Sequence, residues 1–327
     1  RIGDVAVRRS TVRSVAKLDY AGVSDDAAKG RLHPSIAALP EFGELRRRVA
    51  LARGAVELDL PDQEVIRDGG GWALAIAPHT PADLWNSELS LLTGMCAGTI
   101  MADAGVGMLR TLPPPSNAAI AALKRAARAL AATWPDGATP GQFLAGLPRD
   151  APSTLALMST ASGLMRGADY AVLGGPSVPP ERLTHSAIAG VYAHVTAPLR
   201  RLGDRFATEV CLAVTAGKPV PDWVTRALPT LPKVLRSADS LGSSADRMSI
   251  DLTEATVLAD RVGDRFDAVV LHDAGDRRPA QIFISTPTVI AACDGAPEQG
   301  RVVNVELASA DPTTRSVRFR LVDGPSA

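Results

Sequence analysis

The chain has 327 residues and a formal net charge of zero, with 46% hydrophobic and 21% charged residues. This mixture is typical of a folded globular protein and excludes a disordered chain. A neutral chain has no global field that would attract a nucleic acid or a membrane, so any anion-binding site must be local.

The first half of the chain predicts an alternation of strands and helices. Residues 1–20 alternate in a strand-like way, and 41–53 have the apolar spacing of a helix. Residues 54–60 and 69–77 read as the two strands of a hairpin with a glycine-rich turn. Asn86 can cap the helix that follows, which would end at a glycine stop.

Helices continue to dominate up to the last fifth of the chain. Either Ser116 or Asn117 can cap an alanine-rich helix. A last long helix is expected over 245–261. After Gly263, short strand-like runs separated by turn residues predict a small antiparallel five-stranded barrel. The predicted fold is therefore α+β, with the domain boundary at residue 262.

The three cysteines, Cys96, Cys211 and Cys293, lie far apart in apolar stretches. This spacing offers neither a disulfide framework nor a Cys-x-x-Cys metal site, so we expect reduced core residues of a cytoplasmic protein. The sequence has no signal-peptide pattern and no apolar run of membrane-spanning length, so we expect no membrane partner.

The stretch YAHVTAPLRRLGDR, residues 192–205, predicts the start of another helix. Thr196 can cap it, Pro198 is tolerated in its first turn, and the helix would stop near Gly217. Apolar residues at helical spacing predict its buried face. They are Leu199, Leu202, Phe206, Val210 and Ala213.

Two arginines in that first turn need an explanation, because the positive end of a helix dipole disfavours cations. In one interpretation they form a solvated charged face, in which Arg200 pairs with Asp204 four residues later. In the other, Arg200 and Arg201 bind a phosphate together with the free N–H groups of the helix start.

Other candidate residues also leave two interpretations open. Glu88 is either a first-turn carboxylate that favours the helix dipole or a half-buried group that needs an arginine or a sugar hydroxyl. Tyr20 is either edge-of-core packing or a ring on which a nucleobase stacks. Asp25 and Asp26, which follow Ser24, are interpreted as a helix start rather than a Mg²⁺ site.

With these motifs in hand, the chain resembles the RNB family, the exoribonucleases of the RNase II and RNase R type. The resemblance covers nearly the whole chain and is most specific at HSAIAGVYAHVTAPLRRLGDR. Family members carry a Tyr-x-His-Phe-Thr-Ser-Pro-Ile-Arg-Arg-Tyr-x-Asp-like run there. The matching residues are Tyr192, His194, Thr196, Pro198, Arg200, Arg201 and Asp204. Ala197 and Leu202 depart from the pattern.

The resemblance implies a partial RNB catalytic domain, a mixed sheet with packed helices, over 1–262. An OB-like RNA-binding barrel would follow over 263–327. The implied activity is 3′→5′ hydrolysis of single-stranded RNA to nucleoside 5′-monophosphates with Mg²⁺ as cofactor. We expect single-stranded RNA as partner, no DNA, and a monomer.

The resemblance also implies roles for individual residues. Arg200 would contact the scissile phosphate and stabilise the transition state. Glu88 would fix the 3′-terminal nucleotide, and Tyr20 would line the RNA path. Asp246 falls where members often have a glutamate before an arginine. The remaining RNA-binding candidates are Tyr192, His194, Thr196 and Arg201.

The family's hallmark, an Asp-x(5)-Asp-x-Asp-Asp cluster that binds Mg²⁺, does not occur in this sequence. We expect it upstream of residue 1 and expect the chain alone to be inactive. The alternative is a non-catalytic RNA-binding protein on the same fold.

Overall fold

The computed structural model describes residues 3–58, 60, 62–77, 79–148, 151–175, 179, 182–275 and 278–322. In chain order the helices are α1 (Tyr20–Ala28), α2 (Leu39–Arg53), α3 (Pro81–Ala104), α4 (Asn117–Ala129), α5 (Pro140–Ala145), α6 (Pro152–Ala161), α7 (Leu202–Thr215), α8 (Asp222–Ala227) and α9 (Leu231–Leu258). The strands are β1 (Asp62–Asp68), β2 (Gly71–Ala77), β3 (Gly107–Thr111), β4 (Asp169–Leu173), β5 (Thr184–His185), β6 (Gly190–Val191), β7 (Arg265–His272), β8 (Ala280–Ser285), β9 (Thr288–Asp294), β10 (Val302–Asp311) and β11 (Ser316–Leu321). This mixture confirms the predicted α+β class.

The chain forms two compact units, each assembled from separate segments. The first unit comprises Arg1–Val56, His79–Pro114 and Met165–Ala238. The second comprises Glu57–Pro78, Pro115–Leu164 and Asp239–Ala327.

Helix α3 is the central helix of the first unit, and it begins earlier than the predicted cap at Asn86. Thr80 caps it, because its Oγ1 accepts from Asp83 N at 3.4 Å and Asp83 Oδ2 accepts from Thr80 N at 2.9 Å. This reciprocal pair is a capping box, and Pro81 occupies the first turn. Asn86 therefore lies inside the helix. The predicted glycine stop is confirmed at Gly105, which has a φ of 65°.

A close approach fixes the chain after β6 against α3. Ala193 N donates to the carbonyl of Gly94 at 3.0 Å, which is possible because Gly94 has no side chain. Gly98 also lies close to this segment, since a Cβ there would be 2.9 Å from Tyr192 N. The two glycines therefore bring the motif that starts at Tyr192 onto the helix.

Helix α7 begins at Leu202, so the helix start predicted at Thr196 is wrong. Residues 197–201 form a turn instead. Leu199 consequently lies outside the helix and is fully exposed, whereas Val210 and Ala213 are buried as predicted. The helix ends at Thr215, close to the stop predicted near Gly217, and Gly217 has a φ of 62°.

Two strand predictions in the first 60 residues are wrong. Residues 3–19 form neither helix nor strand, and Val12 and Val15 are exposed. Apolar alternation makes a strand only where a neighbouring backbone completes the ladder. The described residues of 54–60 also form neither helix nor strand, and Val56 N donates to the Ala187 carbonyl at 2.8 Å. The helix predicted over 41–53 is confirmed as α2.

The second unit contains the predicted hairpin and barrel. Strands β1 and β2 pair antiparallel around Gly69 and Gly70, which confirms the glycine turn although β1 starts only at Asp62. Ser116 rather than Asn117 caps α4, since its Oγ accepts from Ala119 N at 3.1 Å.

Strands β7–β11 close into a five-stranded barrel in the order β10-β11-β9-β8-β7, which confirms the predicted OB-like fold. Its pairs are antiparallel except for β9 and β11, which run parallel. Phe266, Leu307 and Phe319 are buried in its core together with Leu258, near the end of α9. Helix α9 starts at Leu231, well before the predicted Ala245.

All three cysteines are free, as predicted. Burial raises the pKa of the Cys211 and Cys293 thiols to about 11 and also raises that of Cys96, which is only half-buried. None of the described helices combines the length and the apolar character needed to cross a membrane.

Candidate functional site

The carboxylate of Asp204 organises the turn that precedes α7. The residue is 1% exposed, and its Oδ2 accepts from Ala197 N at 2.8 Å. The same oxygen accepts from Arg201 Nε at 3.1 Å and from Arg201 Nη2 at 2.9 Å. Asp204 thus pairs with Arg201, and not with Arg200 as predicted. The buried carboxylate compensates the Arg201 cation next to the helix start.

Thr196 belongs to the same cluster. Its Oγ1 accepts from Arg201 Nη2 at 3.4 Å instead of capping a helix. The backbone from 196 to 204 is therefore tied together by side chains that share one guanidinium group.

Arg200 lies at the surface of this turn. Its backbone N–H donates to the Ala197 carbonyl at 3.1 Å, and its side chain is exposed. Its guanidinium group has no ion pair or hydrogen bond with any residue that the structure describes. This cation is therefore available to an anionic ligand.

An aromatic cluster lies beside the turn. Tyr192 is buried and makes edge-to-face contacts with His185 and His194, with ring centroids 5.9 and 5.6 Å apart. His194 Nδ1 lies 3.4 Å from the Tyr170 hydroxyl. The Arg110 guanidinium lies over the Tyr170 ring, 4.6 Å from its centroid. The sequence motif did not predict Tyr170 and Arg110, because they lie in β4 and β3, outside the run 185–205 that contains His185 and Tyr192.

Both histidines are held neutral. Burial, followed by the positive charges of Arg201 and Arg110, lowers the pKa of His194 to about 3. Burial and Arg110 lower the pKa of His185 to about 4. The cluster therefore offers neutral hydrogen-bonding groups near neutral pH.

These low pKa values predict that the chain loses stability in acid. In the unfolded chain His194 has the ordinary histidine pKa of 6.5, whereas in the folded chain its pKa is about 3. Between these two pH values the unfolded chain therefore binds more protons than the folded chain, and falling pH favours unfolding. The stabilisation is complete above pH 6.5 and decreases below it, by on the order of 1–3 kcal/mol at pH 5 after allowance for solvent screening. Denaturant titrations at several pH values measure this slope. His194→Gln should make the free energy of unfolding depend less on pH, whereas the control His33→Gln, at an exposed residue, should not. If His194→Gln leaves this pH dependence unchanged, the prediction is wrong.

Glu88 lies in the interior of α3 and not in its first turn, so the dipole interpretation is wrong. The residue is 8% exposed, and its Oε2 lies 3.8 Å from Arg46 Nε of α2. The buried carboxylate therefore has the arginine partner that the other interpretation required. Arg53 Nε and Nη2 donate to the Ile188 carbonyl at 3.1 and 3.0 Å. Both arginines also donate to Met95 Sδ at 3.7 Å.

Tyr20 is the first residue of α1, and its ring is exposed. Its hydroxyl accepts from Asn86 Nδ2 at 3.0 Å, which ties α1 to α3. Asp19 caps α1, because its Oδ1 accepts from Gly22 N at 2.8 Å. Asp25 and Asp26 therefore lie within the helix, and the start predicted at Ser24 is wrong.

Asp246 belongs to the second unit. It is exposed on α9. Across the described segments no group of three or more His, Cys, Asp or Glu side chains could hold a metal ion. The described residues therefore do not fit a Mg²⁺ site.

Comparison with known proteins shows which family models and which solved structures the chain matches. The RNB domain model matches residues 1–214, and the model of the RNase II-type exonuclease C-terminal S1 domain matches residues 264–322. No curated protein matches the chain by sequence.

Three solved structures illustrate the likeness. RNase R of Mycoplasma genitalium in complex with ribose methylated single-stranded RNA is 16% identical with a TM-score of 0.78, over 93% of this chain and 53% of that one. An active site mutant of the Dss1 exoribonuclease from Candida glabrata is 15% identical with a TM-score of 0.68, over 94% of this chain and 38% of that one. Yeast Ssd1, a pseudonuclease, is 14% identical with a TM-score of 0.60, over 94% of this chain and 38% of that one. The chain thus spans about half the length of RNase R.

Proposed function

The chain belongs to the RNB family, and we propose that it supplies the RNA-holding part of a 3′→5′ exoribonuclease of the RNase II type. The substrate would be single-stranded RNA and the products nucleoside 5′-monophosphates. The observation that carries the proposal is the exposed guanidinium of Arg200, which has no partner among the described residues, on a turn whose backbone binds Asp204. The turn holds Arg200 where a phosphate can approach it.

Each residue would have a separate task. Arg200 would stabilise negative charge on the phosphoryl group, because its exposed guanidinium can donate charge-assisted hydrogen bonds to phosphate oxygens. Glu88 would accept a hydrogen bond from a hydroxyl of the last ribose, and the exposed ring of Tyr20 would stack on a base. Tyr192, His194, Thr196 and Arg201 would hold the backbone that presents Arg200.

Mg²⁺ would supply an activated water, but the described residues offer no ligand set for it. No residue of the described segments is therefore assigned to the metal. The domain boundary at 262, the role of Asp246, the monomeric state and the cytoplasmic location stay predictions.

A second candidate is a non-catalytic RNA-binding protein. It is favoured by the likeness of the fold to yeast Ssd1, a pseudonuclease, and by the missing ligand set among the described residues. A 5′-labelled single-stranded RNA incubated with Mg²⁺ and the protein expressed from its native start codon separates the two. Shortening from the 3′ end supports the nuclease, and binding without shortening supports the binder.

Arg200→Ala tests the phosphate contact directly. We expect single-stranded RNA to bind about tenfold more weakly, since one charge-assisted hydrogen bond is lost. The slope of log K against log[salt] should fall by about 1. Fluorescence anisotropy with labelled RNA at several salt concentrations measures both quantities.

Lys218→Ala is the matched control, because Lys218 is an exposed cation just beyond the other end of α7. It should leave the affinity and the slope close to the wild-type values. If Arg200→Ala behaves like Lys218→Ala, Arg200 is a solvated surface cation and the proposed phosphate contact is wrong.

A further inference from the structure

The carboxylate of Glu88 faces a cation from a different helix. The side chain of Glu88 is 10% exposed and that of Arg46 12% exposed, and their charged atoms lie 3.8 Å apart. Removing two charges from water is costly, and removing only one partner of a buried pair costs more still. A buried pair at this position therefore calls for a role beyond stability.

The Arg46 side chain is held from several sides. Helix α2 lies close to α3 at Gly43, where a Cβ would be 2.5 Å from Trp85 Cδ1. Arg46 Nη2 donates to Met95 Sδ of α3 at 3.7 Å. Arg46 also borders a cavity of about 960 Å³ in the first unit, so the pair is not sealed in the core.

The contact between the two residues is electrostatic. At 3.8 Å it is longer than a hydrogen bond, and Arg46 Nε is buried without a hydrogen-bond partner among the described residues. Arg46 therefore attracts the Glu88 carboxylate through charge and not through a directed hydrogen bond.

We propose that Arg46 is a positioning residue that aims the Glu88 carboxylate at the hydroxyls of the last ribose. The inference rests on the proposed function, because it assumes that the RNA end reaches Glu88. It assigns to α2 a part in recognising the 3′ end, although no α2 residue belongs to the motif at 192–204.

The test compares two RNAs of one sequence that differ only at the last ribose. One ends in a normal ribose and the other in a 2′,3′-dideoxyribose, and the ratio of their Kd values reports recognition of the hydroxyls. For the wild-type chain this ratio should be about 10–100, the effect of one hydrogen bond to a charged group. A loss of stability alone would weaken both RNAs equally and leave the ratio unchanged.

A double-mutant cycle then isolates the coupling. Glu88→Gln and Arg46→Met should each lower the ratio toward 1, and the double variant should lower it no further. Arg46→Lys should give an intermediate ratio, since lysine keeps the charge but not the planar guanidinium. Arg48→Met is the matched control, because Arg48 is exposed on the same helix and should leave the ratio unchanged.

The possible outcomes separate the two proposals. If the wild-type chain binds neither RNA, the proposed function fails and the inference fails with it. If Glu88→Gln lowers the ratio and Arg46→Met does not, only the inference is overturned. If Glu88→Gln has no effect, RNA binding stands while the roles of Glu88 and Arg46 are both wrong. If Arg46→Met does not fold, Arg46→Lys decides, and an unchanged ratio overturns the inference.

Discussion

Asp204→Ala is expected to destabilise the chain by about 2–4 kcal/mol, because a buried carboxylate that accepts three hydrogen bonds is lost while Arg201, whose side chain is 30% exposed, stays partly hydrated. The substitution leaves Arg201 without its carboxylate and Ala197 N–H without its acceptor. The turn that presents Arg200 would then lose its fixed conformation, so affinity for RNA should fall as well. Denaturant unfolding and RNA anisotropy on the same preparation measure both effects.

Asp222→Ala is the control for this experiment. Asp222 is also an acidic residue in the first turn of a helix, but it is exposed. Its loss should cost less than about 1 kcal/mol, the usual size of a helix-dipole interaction at the surface. Equal destabilisation by the two variants would show that Asp204 acts only through the dipole and not as the anchor of the turn.

The helix starts show where local sequence reasoning reaches its limit. Asn86 precedes the apolar run of α3 and is a good cap, yet the helix starts at the Thr80–Asp83 capping box. At Thr196 the hydroxyl and Pro198 also satisfy the rules for a start. The buried Asp204 instead binds Ala197 N and Arg201, which favours a turn there. Tertiary contacts of Asp204 therefore determine where α7 begins, and the local spacing of residues does not reveal such contacts.

The barrel was predictable because each of its strands carries a separate apolar run bounded by turn residues. Residues 3–19 carry a similar alternation, but a strand also needs a partner backbone, and alternation does not reveal whether one is present. Pattern therefore predicts strands where several runs follow one another, as they do after Gly263.

Some residues of the candidate site could be predicted from the sequence and others could not. Residues of the contiguous motif, from Tyr192 to Asp204, were found because the motif places them together. Arg46, Arg110 and Tyr170 contact site residues from remote segments, and only the fold brings them close. A single sequence carries no signal for such contacts.

Gly94→Ala should destabilise the chain by about 3 kcal/mol, at the upper end of the usual cost of overpacking. The new Cβ would lie 2.2 Å from Tyr192 Cε2 and 2.6 Å from the Ala193 carbonyl oxygen. A ring can rotate away, but the carbonyl belongs to the backbone whose N–H donates to Gly94. The segment that leads to Arg200 must therefore shift, and we expect weaker RNA binding by the folded variant.

Gly242→Ala is the control and should change stability in the opposite direction. Gly242 lies inside α9, and an added Cβ there would have no described atom within 4 Å. Alanine there should stabilise the chain by about 0.5–1 kcal/mol, through the helix propensity that glycine lacks. Thermal unfolding of the two variants beside the wild-type chain measures the difference. If Gly94→Ala also stabilised the chain, the gain in helix propensity would outweigh the steric clash with Tyr192 and Ala193. The close approach of Ala193 to α3 would then not be what holds the motif in place.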